Sequence, residues 1–194
     1  MTTNILIAGV GGQGLVLTTR VISMVALQSG FDVKTTDVIG LAQRGGMVWG
    51  SVRFGQAVHS PLIPKGDGDF LLGLEMLEGL RWASLLKPAS TVILSRETIY
   101  PSRVLLEKEP YPADIPASLT AAGLRVVCID AHSVAEKLGN LRLANTVLLG
   151  ALSTCLPLPA ATWLSALESA VPKHTVELNH TAFQEGASAF VAAT

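Results

Sequence analysis

Apolar and polar positions follow two different periods in the first part of the chain. Asn4 to Val10 is a nearly unbroken apolar run that leads into glycines, as in a strand buried on both faces. From Leu15 to Ser29 the apolar positions recur at helical spacing, and Gly30 follows as a C-cap residue. Phe31 to Thr36 contains Val33 and two threonines, which predicts a second strand. Together these elements predict a Rossmann-like opening, in which a right-handed crossover joins two parallel strands.

The pattern departs from a purely parallel sheet after this unit. Met47 to Phe54 alternates like a strand, Gly55-Gln56 suits a tight turn, and Ala57 to Ile63 follows as a second extended segment. Two consecutive strands without an intervening helix pair in the antiparallel sense. We therefore expect a mixed, mainly parallel sheet that includes a hairpin made from these two segments.

Short strands and helices alternate through the middle of the chain. Strands are expected at Asp69 to Leu74, Thr91 to Ser95 and Arg125 to Asp130. A helix from Glu75 to Leu86, ended by a proline, places acidic residues in its first turn, where the helix dipole favours them. Tyr100 to Ala117 contains four prolines and mixed charges, so we expect an exposed loop there.

The last part of the chain has a helical pattern and contains a long uncharged stretch. This stretch, from Leu143 to Leu167, is long enough to span a membrane. Pro157 and Pro159 interrupt it, which favours two buried helices joined by a Leu-Pro-Leu-Pro turn. A final helix is predicted from Leu178 to Ala192. The expected fold is therefore α/β with three layers, α/β/α, in a single domain that spans residues 1–194.

The composition is unusually apolar, with 49% hydrophobic and 15% charged residues, whereas typical domains have about 25% charged residues. Two explanations stay open: part of the surface meets another protein, or parallel strands bury a large core. The net charge of −1 gives no field that would attract nucleic acid or an anionic membrane. The N-terminus lacks the pattern of a signal peptide, so we expect a cytoplasmic protein with no membrane partner.

The cysteines and histidines do not have the sequence spacing of a metal site or of a catalytic group. Cys128 and Cys155 are single cysteines without a CxxC pair, so this chain alone does not supply an iron–sulfur or zinc site. The histidines are scattered, and no Ser or Cys is placed by sequence to partner them. We expect each to be structural; they are His59, His132, His174 and His180.

Two glycine-containing motifs are the strongest chemical signals. Gly9, Gly11 and Gly14 fit G-x-G-x-x-G between a strand and a helix, a context that presents backbone N–H groups to an anion. Asp37 stands near the position of a ribose-binding acid in a dinucleotide site. Alternatively, the glycines serve only a tight turn and close packing. The second motif, Gln43-Arg44-Gly45-Gly46, offers a guanidinium for a carboxylate or phosphate, or is a turn with a solvated arginine.

The sequence resembles the gamma subunit or domain of 2-oxoacid:ferredoxin oxidoreductases, and in particular the small subunit of indolepyruvate ferredoxin oxidoreductase. The pair of motifs is much more specific than either one alone, and the resemblance covers nearly the whole chain. It rests on Gly9-Val10-Gly11-Gly12-Gln13-Gly14, Gly40-Leu41-Ala42-Gln43-Arg44-Gly45-Gly46-Met47-Val48, Val52-Arg53, Pro61, Asp69, Glu75 and the segment from Asn145 to Gly150-Ala151-Leu152.

This resemblance implies a subunit of an assembly that oxidatively decarboxylates a 2-oxoacid with coenzyme A, giving an acyl-CoA, carbon dioxide and reduced ferredoxin. It implies that thiamine diphosphate and [4Fe-4S] clusters lie on a large partner subunit, that this chain binds no cofactor alone, and that ferredoxin meets the complex. Arylpyruvates such as indolepyruvate are the expected substrates, and other 2-oxoacids stay open. Whether Trp49 and Trp82 meet an aryl substrate or fill the core stays open.

The resemblance also gives the two motifs a role at the surface between the subunits. Gly11 to Gly14 are expected to supply backbone donors, Gln43 and Arg44 to order the interface or contact coenzyme A or substrate, and Arg53 to add a cation. No residue is assigned a catalytic role. The candidate cofactor-binding or interface residues are Gly9, Gly11, Gly12, Gln13, Gly14, Gln43, Arg44, Gly45, Gly46 and Arg53.

Two alternatives stay open beside this hypothesis. The first is an independent FAD- or NAD-binding oxidoreductase, in which the first glycine motif holds the dinucleotide and Asp37 binds the ribose. The second is a scaffold that presents the predicted hairpin and the proline-rich segment to another protein.

Overall fold

The computed structural model describes residues 2–39, 45–100 and 110–194, with residue 39 described by its backbone only. Within these ranges six strands form one sheet, in the order β2-β3-β1-β4-β5-β6. The strands are β1 (Thr2–Val10), β2 (Asp32–Ile39), β3 (Met47–Gly55), β4 (Gly68–Gly73), β5 (Leu86–Ser95) and β6 (Arg125–Ile129). The α-helices are α1 (Leu15–Gln28), α2 (Met76–Trp82), α3 (Ile115–Ala121), α4 (Ala131–Lys137), α5 (Ala144–Ser153), α6 (Ala160–Ala170) and α7 (Val176–Ala193).

The sheet is mixed and mainly parallel, as the sequence predicts. β1, β4, β5 and β6 pair in parallel, whereas β3 runs antiparallel to both of its neighbours, β1 and β2. β2 is therefore parallel to β1 but does not touch it, because β3 lies between them. The crossover from β1 to β2 therefore skips the position of β3, and the spacing of apolar residues along the sequence does not reveal this.

The predicted hairpin exists with a different partner strand. β3 pairs with the preceding strand β2, and Ala57 to Ile63 is not a strand. Pro61 lies in this segment and lacks the N–H group that a sheet ladder needs. Side chains from β3 bind the backbone carbonyl oxygens of this segment instead. Ser51 donates to the Pro61 carbonyl at 2.6 Å, and Arg53 donates to two further carbonyl oxygens of the segment at 3.0 and 2.7 Å. The prediction of a second hairpin strand at this point was wrong.

The helix predicted from Glu75 to Leu86 is shorter in the structure. It ends at Trp82, a 3-10 turn covers Ala83–Leu85, and β5 begins at Leu86. Pro88 consequently lies inside β5, where the register between β4 and β5 shifts. The apolar spacing that predicts a long helix here also fits the start of a buried strand.

The helices after β6 match the sequence pattern closely. The uncharged stretch forms α5 and α6, with Pro157 and Pro159 between them, and the final helix lies where it is predicted. No helix in the described ranges combines the length and the apolar character that crossing a membrane requires.

Side chains alternate along the central strands and face two separate apolar cores. Ile5 and Ile7 point to one core, which α1, α4, α5, α6 and α7 cover. Leu6 and Ala8 point to the other, which is covered by α2 and α3. All four side chains have no exposed surface. The molecule thus has the expected three layers, with the sheet in the middle.

Candidate functional site

The first glycine motif forms the turn between the carboxyl end of β1 and the start of α1. Gly12 and Gly14 have φ angles of 105° and 82°, values that favour glycine. Gly14 is the N-cap of α1, and within the described ranges no side chain caps the helix. No described residue accepts a hydrogen bond from the N–H of Gly12 or Gly14. The turn therefore leaves these two backbone donors at a helix start without an acceptor among the described residues.

The two glycine motifs are joined through their backbones. The Gly11 N–H donates to the Gly46 carbonyl at 2.7 Å, and the Gly45 N–H donates to the Gly11 carbonyl at 3.1 Å. These bonds continue the ladder between β1 and β3 beyond its last pair. Two segments more than thirty positions apart thus form one surface. Gln43 and Arg44, which precede Gly45, lie outside the described residues.

Gln13 connects this surface to the ends of two further strands. Its Oε1 accepts from the Val10 N–H at 2.7 Å, and its Nε2 donates to the Leu74 carbonyl at 2.9 Å and to Glu97 Oε2 at 3.1 Å. The Asn145 amide donates to the Gln13 carbonyl. Gly9 is required beside this side chain, because a Cβ there would lie 2.8 Å from Gln13 Oε1.

A carboxylate–imidazole pair, absent from the sequence prediction, extends the cluster. Glu97 follows the end of β5, and its Oε2 lies 2.7 Å from His132 Nε2, at the start of α4. Sequence reasoning treated His132 as structural and did not single out Glu97. Their positions immediately after the carboxyl ends of β5 and β6 were the available signal, since ligands of open α/β sheets bind at this edge.

A cavity of about 540 Å³ opens at this edge of the sheet. Its volume suits a small organic ligand. Its polar lining comes from the glycine-rich turn, the Glu97–His132 pair, Arg142 and Asn145. Its apolar walls are formed by Val10, Leu17, Leu74, Ile99, Leu141 and Leu148.

Arg53 does not reach this site. Arg53 pairs with Asn4 near the start of β1. Along β3 it lies six residues from Met47, which pairs with Val10 beside the glycine-rich turn, and six residues of a strand span about 20 Å. Its Nε donates to Asn4 Oδ1 at 2.8 Å, and a terminal nitrogen lies 3.9 Å from Asp67. These partners, and the two carbonyl oxygens described above, lie near the amino-terminal ends of the parallel strands, at the opposite end of β1 from the glycine-rich turn.

The geometry does not support the dinucleotide alternative. The Gly11 N–H already binds the Gly46 carbonyl and so is not available to a pyrophosphate. Asp37 lies on β2, separated from β1 by β3, and its Oδ2 accepts from the Thr19 hydroxyl at 3.2 Å. Partial desolvation raises the pKa of Asp37, which is otherwise exposed, and a Cβ at Gly50 on β3 would lie 2.6 Å from its Oδ1. Asp37 therefore packs against its own sheet, away from the turn.

Two buried acids lie behind the site, at the start of α2. Glu75 caps the helix by accepting from the Glu78 N–H at 2.9 Å, and Tyr111 donates its hydroxyl to Glu75 at 2.5 Å. Glu78 has no exposed surface, and its nearest cation, Arg81, is 3.7 Å away. Burial raises the pKa of Glu75 and raises that of Glu78 to about 7. The sequence predicts acidic residues at a helix start, and the structure shows that both are core residues.

Trp49 and Trp82 stack on the face of the sheet opposite α1. Their ring centroids are 4.5 Å apart, and both contribute to the core that α2 and α3 cover. Both remain partly exposed. The stack therefore belongs to the packing of α2 on the sheet.

Among the described residues, no three His, Cys, Asp or Glu side chains lie close enough together to hold a metal ion. Cys128 is on β6 and Cys155 follows α5, so the two thiols belong to different elements. A [4Fe-4S] cluster bound through four cysteines does not fit the two cysteines of this chain.

Comparison with known proteins gives consistent matches over nearly the whole chain. A family model described as pyruvate ferredoxin/flavodoxin oxidoreductase matches residues 4–189. The indolepyruvate oxidoreductase subunit IorB of Methanothermobacter thermautotrophicus is 33% identical over 190 residues, which cover 96% of each chain. The subunit of the same name from Archaeoglobus fulgidus is 39% identical over 154 residues, covering 78% of this chain and 76% of the relative.

A solved structure has the same fold. The gamma subunit of keto/oxoacid ferredoxin oxidoreductase from Geobacter sulfurreducens superposes with a TM-score of 0.73 at 23% sequence identity. The match covers 98% of this chain and 99% of that chain. The mixed six-stranded architecture described above is therefore an architecture of such gamma subunits.

Proposed function

The chain belongs to the pyruvate ferredoxin/flavodoxin oxidoreductase family, and we propose that it is the small subunit of an oxidoreductase that acts on indolepyruvate or another arylpyruvate. The observation that carries this proposal is the identity of 33% with an IorB subunit over 96% of both chains. The complex catalyses oxidative decarboxylation of the 2-oxoacid with coenzyme A, which yields an acyl-CoA, carbon dioxide and reduced ferredoxin.

In this proposal the cofactors that carry the chemistry lie on a larger partner subunit. Thiamine diphosphate supplies the electron sink and [4Fe-4S] clusters supply the path to ferredoxin. This chain contributes a required surface and is inactive alone. We place the complex in the cytoplasm.

The surface formed by the two glycine motifs faces the partner. Its support is the backbone coupling of Gly11 with Gly45 and Gly46, which joins the first motif to the two glycines of the second. We assign Gln43 and Arg44 to the interface or to the coenzyme A or substrate side. Arg53 is left out of this surface, because its guanidinium binds its own chain at the other edge of the sheet.

The test is reconstitution with the partner subunit under anaerobic conditions. The two chains are co-expressed and purified through a tag on this chain, and reduction of ferredoxin is measured with indolepyruvate and coenzyme A. We expect a complex whose activity requires both chains and both substrates. Purification of this chain alone, with FAD or NAD bound at micromolar affinity in calorimetry, would overturn the proposal in favour of the dinucleotide enzyme.

A further inference from the structure

The orientation of the Gln13 amide follows from its backbone contacts. The Val10 N–H can only donate, so the Gln13 atom that it meets at 2.7 Å is the oxygen. The Leu74 carbonyl can only accept, so the atom that it meets at 2.9 Å is the nitrogen. Both contacts agree, and the amide has one orientation. Its Nε2 must therefore donate to Glu97 Oε2.

This orientation fixes the tautomer of His132. Glu97 Oε2 accepts from Gln13, and the same oxygen lies 2.7 Å from His132 Nε2. The imidazole must place its hydrogen on Nε2 to bind an accepting oxygen. The neutral ring then has its lone pair on Nδ1, which binds no described residue.

His132 lines the 540 Å³ cavity, and 39% of its side chain is exposed. The surrounding walls are largely apolar, and the N–H groups of Gly12 and Gly14, which bind no acceptor within the described part of the chain, lie on another side. We propose that Gln13 and Glu97 hold His132 as the hydrogen-bond acceptor of this cavity, so that Nδ1 binds a ligand group carrying an N–H, O–H or S–H. Gln13 and Glu97 are positioning residues, whereas His132 contacts the ligand.

The proposal rests on the proposed function for the identity of the ligand. The two substrates of the reaction offer different donors: indolepyruvate carries an indole N–H, and coenzyme A carries a thiol and amide N–H groups. Phenylpyruvate has an aryl ring of similar character without the ring N–H. Comparison of these substrates therefore identifies the source of the donor.

The first experiment measures the tautomer in the isolated chain by long-range ¹H–¹⁵N correlation of the imidazole nitrogens. We expect His132 to show the Nε2–H form, whereas the exposed His59, which serves as the reference in the same spectrum, shows a mixture. The variant Glu97→Leu, which has no acceptor for the Nε2–H, should release His132 toward a mixture as well. An Nδ1–H form of His132, or an unchanged spectrum in the variant, would overturn the orientation.

The second experiment measures kinetics in the reconstituted complex. His132→Leu should raise the KM of the substrate that carries the donor roughly 3- to 10-fold, the loss of one hydrogen bond, with a smaller change in kcat. A rise for indolepyruvate but not phenylpyruvate identifies the indole N–H, and a rise for coenzyme A with either oxoacid identifies coenzyme A. His132→Asn, whose amide oxygen can replace Nδ1, should recover part of the loss.

His59→Leu is the matched control, because His59 is exposed at the other edge of the sheet, beyond β3. Unchanged KM values for all substrates in an assembled His132→Leu complex would overturn the role of His132 in ligand binding. If the unmodified chain restores no activity, the proposed function fails instead. The tautomer measurement then still decides whether Gln13 and Glu97 orient His132.

Discussion

Glu78 is a buried carboxyl group with no hydrogen-bond donor among the described residues. Its pKa rises from 4.5 to about 7 on burial, so folding takes up a proton between these values. This contribution to stability is complete below pH 4.5 and is lost as the pH rises to about 7. A glutamine at this position stays neutral at any of these pH values, so it avoids the loss of stability that accompanies ionisation of the buried carboxyl group. We therefore predict that Glu78→Gln is more stable than the unmodified protein near pH 8.5, by at most about 3 kcal/mol.

Urea unfolding near pH 5 and near pH 8.5 checks this prediction. Near pH 5 the variant and the unmodified protein should differ by less than about 1 kcal/mol. Glu136→Gln, at an exposed position of α4, is the control and should change stability little at either pH. A Glu78→Gln variant that is less stable near pH 8.5 would mean that donors bind the ionised carboxylate in solution.

The glycine-rich turn gives a second prediction at the level of single residues. Gly12 and Gly14 both have positive φ, so alanine strains either position by roughly 1–2 kcal/mol. A Cβ at Gly14 would also lie 2.7 Å from Asn145 Nδ2, whereas a Cβ at Gly12 meets open space. Gly14→Ala should therefore lose roughly 1 kcal/mol more than Gly12→Ala in urea unfolding. Equal losses would show that Asn145 does not depend on the Gly14 backbone.

Sequence alone predicts the residues of this turn but not the partners of its side chains. Glycine spacing after an apolar run reveals the strand, the turn and the helix start. The contacts of Gln13 with Leu74 and Glu97 join segments more than sixty positions apart, and no local pattern reports them. The burial of Glu78 is hidden from the sequence for the same reason: helix-dipole preference predicts an acid at a helix start, but it does not reveal that α2 starts inside the core.

Helices α5 and α7 pack through two glycines. A Cβ at Gly186 would lie 1.8 Å from the Val147 carbonyl oxygen, and one at Gly150 would lie 2.0 Å from the Phe183 carbonyl oxygen. Alanine at either position forces the helices apart, because backbone atoms cannot move aside as a flexible side chain can. We predict that Gly186→Ala costs roughly 3 kcal/mol or more.

Thermal unfolding followed by circular dichroism tests this contact. Ser188 lies on the exposed side of α7, so Ser188→Ala serves as the control and should change the free energy of unfolding by less than about 0.5 kcal/mol. A Gly186→Ala protein that melts together with this control would show that α7 can shift without loss of packing.

Elements with one dominant period could be predicted, and those with two competing signals could not. The final helix and the helices around Pro157 follow from apolar spacing and proline positions. The segment from Ala57 to Ile63 has strand-like spacing, but its backbone bonds depend on Ser51 and Arg53 from the neighbouring strand. The position of β3 between β1 and β2 is likewise a tertiary choice that residue spacing does not encode.

The role of Arg44 is tested in the complex with the partner subunit. If the loop that contains it orders the interface or contacts substrate, Arg44→Ala removes a guanidinium that can bind a carboxylate or phosphate with two hydrogen bonds. We predict a sharp loss of assembly or turnover in the reconstituted complex. Arg125→Ala, an exposed arginine at the start of β6, is the matched control. Kinetics of Arg44→Ala equal to those of the control would remove the loop from the proposed surface.

The two edges of the sheet offer a direct test of which side meets the partner. Met47 is 44% exposed beside the glycine-rich turn, and Leu62 is 60% exposed near the start of β1. Aspartate at either position leaves the core untouched, so both variants should keep the circular dichroism spectrum of the unmodified protein. If the partner covers the turn, Met47→Asp buries a charge in the interface and should weaken binding roughly 10-fold or more, while Leu62→Asp binds normally. Titration of the purified partner by calorimetry separates these outcomes. The opposite result would assign the partner to the edge that holds Arg53, and the cavity at the turn would then remain open to substrate in the assembled enzyme.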